Sequence, residues 1–196
     1  MKTSELLEIF NVTDLRKLPE AIMEVLMGEQ TKRNDIYKKL LQLNSYDMSY
    51  DWFQQIYEEE LSQRKEKKQD FTPLALGTIA SMICGENQRT VYEPTAGNGS
   101  MLISDWFVKM SNSYPWEFLP SQNMFECWEL SDRSIPILLL NLSIRGMMGT
   151  VYHGDVLEQE VKQKYILLNP HDDSLAFSEI HKVPINSSII KSYDTK

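Results

Sequence analysis

Hydrophobic positions recur at helical spacing through the first third of the chain and then change rhythm. Pro19 opens a run in which Ala21, Ile22, Val25 and Leu26 share one face, and Gly28 ends it. A second run, with Thr31 as its cap, carries Ile36, Leu40 and Leu41 and closes near Asn44. Trp52, Phe53, Ile56 and Leu61 mark a third, which runs into Arg64, Lys65, Lys67 and Lys68. A basic stretch there suits the negative end of a helix dipole, and it can also contact phosphate. Residues 1–69 thus predict a small helical subdomain packed on the remainder of the chain.

After Asp70 the pattern turns apolar. Thr72 and Pro73 read as the cap and first position of a helix that carries Leu74 to Cys84 and stops at Gly85. From Val91 onward strand and helix patterns alternate. Strands are predicted at Thr90–Glu93, Met124–Glu129, Thr150–His153 and Lys164–Leu168. Helices are predicted at Ser100–Met110, capped by Ser100, and at Asp132–Arg145, capped by Ser131 or Asp132 and ended by Gly146. Such alternation implies an α/β fold with a mostly parallel sheet and helices on both faces, over residues 70–196. Between them, residues 111–123 read as an irregular loop with Pro115, Trp116 and Pro120, in which Trp116 serves packing.

Composition narrows the function classes. With 196 residues and 42% hydrophobic content the chain can bury a core, as one domain or a core with a helical extension. A net charge of −8 argues against a free-standing, non-specific nucleic-acid binder, which would present a basic face. Cys84 and Cys127 lie in apolar runs without a CxxC, as buried free thiols in a reducing cytosol do. The first ten residues lack an apolar signal core, and no apolar run approaches the ~20 residues of a membrane span. The expectation is a cytoplasmic protein without a membrane partner or a metal site.

The candidate chemistry gathers around Thr90–Leu102, TVYEPTAGNGSML. Gly97 and Gly99 flank Asn98 in a tight loop between a strand and a helix, where backbone approaches a ligand closely and helix N–H groups face it. In an open α/β sheet, ligands bind beyond the carboxyl ends of the strands. Glu129 ends the second expected strand, where a carboxylate can accept both ribose hydroxyls of an adenosyl group. Gly154-Asp155 ends the third, where Asp155 can accept from an adenine amino group. Asn169-Pro170 ends the fourth, with two carbonyls that can accept from an exocyclic amine. Each alone is an ordinary turn; in order, each at a strand end, they point to one adenosyl site.

The ordered set resembles the adenine-N6 DNA methyltransferases, and among them the modification (M) subunits of type I restriction-modification systems. Asp70-Phe71-Thr72-Pro73 is similar to the family's Phe-Thr-Pro segment, which lies over the methionine part of S-adenosylmethionine. Glu93-Pro94-Thr95-Ala96-Gly97-Asn98-Gly99-Ser100 resembles its cofactor loop. Glu129-Leu130, with Leu139, Asn141, Leu142, Arg145 and Gly146 behind it, resembles the ribose-binding acid and its helix. Gly154-Asp155-Val156-Leu157 resembles the adenine-binding turn. The resemblance covers roughly residues 70 to 170. It implies a Rossmann-like methyltransferase sheet, truncated, with S-adenosylmethionine or S-adenosylhomocysteine as ligand.

Two departures bear on activity. The family's catalytic motif is Asn or Asp, Pro, Pro and an aromatic residue, and this chain reads Asn169, Pro170, His171, Asp172. Asp172 offers no face for a flipped adenine to stack on, so methyl transfer is expected to be weak or lost. Only 24 residues follow Asp172, whereas the family continues through further strands and a specificity partner. The sheet edge beside the fourth strand then needs covering by the tail, a second copy or another protein. These features leave three expectations open. The first is a cofactor-binding methyltransferase-like domain that meets DNA only with a partner protein. The second is a non-catalytic interaction protein, such as a decoy or regulator of a restriction complex. The third is methylation of a small molecule or a protein.

Overall fold

The computed structural model describes residues 2–54, 56, 74–84 and 90–186. Helices α1 (Thr3–Ile9), α2 (Leu18–Met27) and α3 (Gln30–Leu43) fill the N-terminal part. Pro19 stands in the first turn of α2, and its apolar face buries Leu18, Ile22 and Leu26. The cap of α3 is Glu29 rather than Thr31, which lies inside the helix. Of the third expected helix, Trp52 and Phe53 lie in a turn, and Gln54 and Ile56 are helical. Its remainder, and the expected boundary at residues 69 and 70, lie outside the described residues. Helix α4 (Leu74–Cys84) precedes β1 (Thr90–Glu93), followed by α5 (Ser100–Ser111), β2 (Met124–Glu129), α6 (Ser134–Ile144), β3 (Gly149–Asp155), β4 (Glu160–Leu168) and β5 (Glu179–Val183). No helix among them is long and apolar enough to cross a membrane.

The five strands form one mixed sheet in the order β1-β2-β3-β4-β5. β1, β2 and β3 are parallel, with Glu93 opposite Cys127 and Glu129 opposite His153. β4 then runs antiparallel to β3, and β5 antiparallel to β4. The expected parallel course of the fourth strand is therefore corrected. The reason lies in the connection, because only residues 156–159 join β3 to β4. A parallel return needs a crossover of about a dozen residues or more, whereas a short link can only make a hairpin. β5, which the sequence pattern does not reveal, covers the far side of β4, so the chain's own later residues close that edge. Among the described residues β1 and β5 are the outer strands.

Side chains alternate across the sheet, and one set of faces makes the core. Val91, Phe125, Cys127, Val151, Tyr165, Leu167 and Ile180 pack with Leu18 and Ile22 of α2, Leu102 of α5 and Leu138 and Leu142 of α6 in one cluster. The opposite face carries Trp128 stacked on Tyr152 at 4.7 Å, with Lys164 Nζ 4.8 Å from the Tyr152 ring, and none of the three joins that cluster. The second helical layer expected there is not among the described residues. Cys127 is free and buried, as expected, while the side chain of Cys84 lies outside those described.

Helix α6 is buried on every side, ten of its eleven residues, with Asn141 and Ser143 as polar positions among them. Its last turn delivers Arg145, itself almost fully buried, to the segment before Phe53. The guanidinium donates through Nε to the Met48 carbonyl at 2.9 Å, through Nη1 to that of Asn141 at 2.8 Å and through Nη2 to that of Tyr50 at 2.6 Å. It also lies 4.9 Å from the centre of the Trp52 ring. Burial holds its pKa down to about 10, against the charges of Asp51 and Asp47. Arg145→Ala removes these three hydrogen bonds from a charged donor and is expected to cost about 3 kcal/mol. Urea unfolding followed by tryptophan fluorescence measures the loss.

Candidate functional site

The carboxyl ends of β1, β2 and β3 stand side by side, within about 10 Å across two strand spacings. From β1 the chain enters residues 94–99. Glu93 Oε1 accepts from the Thr95 backbone N–H at 3.2 Å, and the Ala96 N–H bonds the Trp128 carbonyl at 2.9 Å, which ties the loop to the end of β2. Gly97 has φ +56, and a Cβ added there would meet nothing within 4 Å, so its bare face opens on free space. Gly99 has φ +93, and a Cβ there would lie 2.9 Å from Leu138 Cδ1, so this glycine lets the loop close on α6. Gly99 is also the N-cap of α5. Ser100 is therefore the first helical residue and not the cap, and Gly99, having no side chain, places none on the first N–H groups of α5.

Glu129 braces this loop. Its Oε2 accepts from the Gly97 N–H at 2.7 Å and its Oε1 from the Ser131 N–H at 2.7 Å. A carboxylate has about four acceptor positions, so each oxygen keeps one free for a ligand hydroxyl. Leu130 follows it, 53% exposed, an apolar surface beside the acid. Behind the loop, Asn98 is buried, and its carbonyl accepts from Asn141 Nδ2 at 2.9 Å. The opposite side of the site is the β3–β4 hairpin. There Asp155 Oδ1 accepts from the N–H groups of Leu157 at 2.9 Å and Glu158 at 3.2 Å. Asp155 and Val156 thus sit beside the site as the start of a tight turn. Phe71, Thr72 and Pro73 lie outside the described residues.

The fourth expected strand end does not join the other three. Because β4 is antiparallel, Leu167 pairs with Gly149 at the start of β3, and Asp155 at its end pairs with Glu160. Asn169 and Pro170 therefore leave the sheet at the opposite end from Glu93, Gly97 and Glu129. The length of β3, at about 3.3 Å per residue, separates them by roughly 20 Å. Asn169 is fully buried there, and its amide is engaged. Nδ2 donates to the carbonyl of Asp173 at 2.7 Å and to those of Gly146 and Ala176, while Oδ1 accepts from the Asp173 N–H at 3.2 Å. His171 is exposed. Asp172, at φ +50, accepts from the Ser121 N–H at 2.8 Å and its hydroxyl at 2.7 Å, anchoring the aromatic loop. In that loop Trp116 is 76% exposed and stacks on Tyr114 at 5.0 Å, so it does not serve the packing expected of it.

Several residues at the site carry no distinguishing sequence pattern. His153 Nε2 lies 2.9 Å from Asp132 Oδ1, off the hydrogen-bond axis, and Lys162 Nζ reaches the same oxygen at 3.3 Å. The lysine, with the histidine adding to it, holds the exposed Asp132 carboxyl below its ordinary pKa. Asp51 accepts from Asn141 Nδ2 at 2.8 Å and from the Phe53 N–H at 2.9 Å. An acid set between Tyr50 and Trp52 was the available signal, since an acid in such a run is buried with partners or ends the run. Among the described residues no group of three or more His, Cys, Asp or Glu comes together to hold a metal ion.

The model of the N-6 DNA methylase family matches residues 48–181. The chain belongs to this family. The match reaches back over the Met48–Phe53 segment that Arg145 and Asn141 hold, well before the glycine loop. Members of the family are adenine-N6 DNA methyltransferases and generally use S-adenosylmethionine. No curated protein matches the chain.

Two measurements test the local physics. Gly99→Ala strains a left-handed residue and drives a methyl into Leu138, and is expected to cost more than Gly97→Ala, which carries only the backbone penalty of about 1 kcal/mol; thermal unfolding of both ranks them. Burial raises the pKa of Asp51 above its ordinary value, against the opposing pull of Phe53, Asn141, Arg145 and Asn98. A folded-state pKa above the unfolded one favours the fold fully below the unfolded value and loses that contribution as pH rises through the folded one. Asp51→Asn should remove this fall, so the difference in stability between variant and wild type should shift in the variant's favour from pH 4 to pH 7 in urea unfolding.

Proposed function

We propose that this chain binds S-adenosylmethionine, or S-adenosylhomocysteine, beyond the carboxyl ends of β1, β2 and β3, and does not by itself transfer a methyl group to adenine. The groups present suit such a ligand. The free acceptor positions of Glu129 take the ribose hydroxyls, and Leu130 offers an apolar surface for the adenine, with Asp155 and Val156 beside it. Glu93, Thr95, Gly97, Asn98, Gly99 and Ser100 form the wall along the loop, with the uncapped N–H groups of α5 facing the ligand's carboxylate. Phe71-Thr72-Pro73 is the cover in this reading. The bound sulfonium would supply an activated methyl group.

The observation that carries the second half of the proposal is the antiparallel course of β4. An asparagine that orients an amine must accept a hydrogen bond from it while the amine nitrogen stands about 3–3.5 Å from the methyl group. The Oδ1 of Asn169 accepts a backbone bond in a buried turn at the other end of the sheet. Asp172, in the position of the stacking residue, holds Ser121 instead. A family member that keeps the ligand and not the transfer acts by binding. The likeness to type I modification subunits supports a role as regulator or decoy in a restriction or other DNA-processing complex. With a net charge of −8, contact with DNA would come through a partner protein.

Calorimetric titration with S-adenosylmethionine and S-adenosylhomocysteine tests the first half, and Glu129→Ala is expected to weaken binding at least about ten-fold through loss of both the brace and the acceptor. A radiolabelled methyl-transfer assay on mixed-sequence DNA tests the second. Binding without incorporation is the expected result; incorporation that disappears in Asn169→Ala would overturn it.

A further inference from the structure

Asn141 lies in α6 directly behind the glycine loop, with no exposed surface. Its Nδ2 donates twice, to Asp51 Oδ1 at 2.8 Å and to the Asn98 carbonyl at 2.9 Å, and its Oδ1 accepts from Arg145 Nη1 at 3.3 Å. The glycine loop is therefore held from opposite sides at two peptides separated by one, 96–97 and 98–99. Glu129 accepts from the Gly97 N–H on the open side, and Asn141 Nδ2 donates a hydrogen bond to the Asn98 carbonyl on the buried side.

Asp51 decides which way round the Asn141 amide sits. Asp51 Oδ1 takes the Phe53 N–H and so stands as an acceptor, whereas an amide can present either end. With Asp51 on one side and a backbone carbonyl on the other, only the nitrogen of Asn141 satisfies both. The arrangement has an evident cost. Asp51 Oδ2 is buried with no hydrogen-bond partner among the described residues, although Oδ1 receives two N–H groups. An apolar contact would join the 47–53 segment to α6 without burying a carboxylate with one oxygen unpaired. It would not orient a donor toward the loop.

We propose that Asp51 and Asn141 are positioning residues for ligand binding, through which the segment before Phe53 fixes the glycine loop in its binding shape. Neither touches the ligand; both act on the peptide of Asn98. This rests on the reading that the loop holds an adenosyl ligand. Loop shape then enters affinity directly, because apparent affinity falls with the fraction of molecules whose loop is in the competent form.

The test uses the full chain and two near-isosteric variants. Asn141→Asp replaces the donor with an oxygen that faces two acceptors. Asp51→Asn keeps an acceptor oxygen but no longer dictates the orientation of its neighbour. Titration with S-adenosylhomocysteine is expected to weaken about ten-fold or more in Asn141→Asp and about three-fold in Asp51→Asn. Without ligand, hydrogen exchange at Ala96, Gly97 and Gly99 is expected to quicken by similar factors. A purely structural role would lower the unfolding temperature and leave affinity and loop exchange at wild-type values, and that result in either folded variant overturns the proposal. Failure of the adenosyl reading shows separately, as an absence of heat with the wild-type protein. Loop exchange then decides alone whether the two residues hold the loop, and unchanged exchange rejects it.

Discussion

A single buried amide joins three parts of this chain that are far apart in sequence. Asn141 binds Asp51 at the end of the N-terminal helical part, Asn98 in the glycine loop and Arg145 one turn along its own helix. Inside a protein an unpaired polar group is costly, so a network of this kind tolerates little displacement of any member. The apolar packing around it is permissive by comparison. Leucines on α6 could slide against α2 at modest cost, but three hydrogen bonds to one amide cannot all survive a shift of an ångström. The network thereby converts a general preference for burial into one relative placement of helix, loop and segment, and the site inherits that placement.

The loop itself is built twice over. Its backbone conformation depends on two left-handed glycines, and its position on two bonds from outside, Glu129 to Gly97 and Asn141 to Asn98. Glu129 has two tasks in one group. It fixes the loop from β2 while leaving acceptor positions toward the open side, so removing it would loosen the loop and, in the proposed reading, delete a ligand contact as well. Asp155 differs, because its Oδ1 is engaged in the hairpin turn that follows it. The two acids look alike as strand-ending carboxylates in the sequence, and only the chain's path after each separates them.

That path also explains what the sequence made legible. Thr90–Glu93 and Met124–Glu129 form where the alternation placed them, and α4 spans the residues its apolar run indicated. The glycine loop and Glu129 come together because a strand–loop–helix–strand unit has one right-handed way to return. Hydrophobic patterning marks the fourth strand but carries no sign of its direction. The information was in the spacing. Residues 154–163 lie between the expected third and fourth strands, too few for a crossover. β5, Glu-Ile-His-Lys-Val, is an outer strand with polar residues on most positions and gave no apolar signal. Asp51 was hidden for the opposite reason, as a polar residue in an aromatic run whose partner Asn141 lies 90 residues further along the chain.

The direction of β4 changes how the altered motif is to be understood. Read as sequence, His171 and Asp172 are two substitutions in an otherwise intact catalytic turn. In the fold, the turn they belong to has another set of partners: Asn169 holds the carbonyls of Gly146, Asp173 and Ala176, Asp172 holds Ser121, and Ser174 donates to the Pro115 carbonyl at 2.5 Å. Bringing Asn169 to the glycine loop would require β4 to leave both β3 and β5 and reverse. That breaks two antiparallel ladders and exposes Ile166 and Leu167, a far larger change than restoring two side chains. Under the proposed reading, binding without transfer follows from the order and direction of the strands, and Asp172, through Ser121, helps to hold the far end of the sheet together.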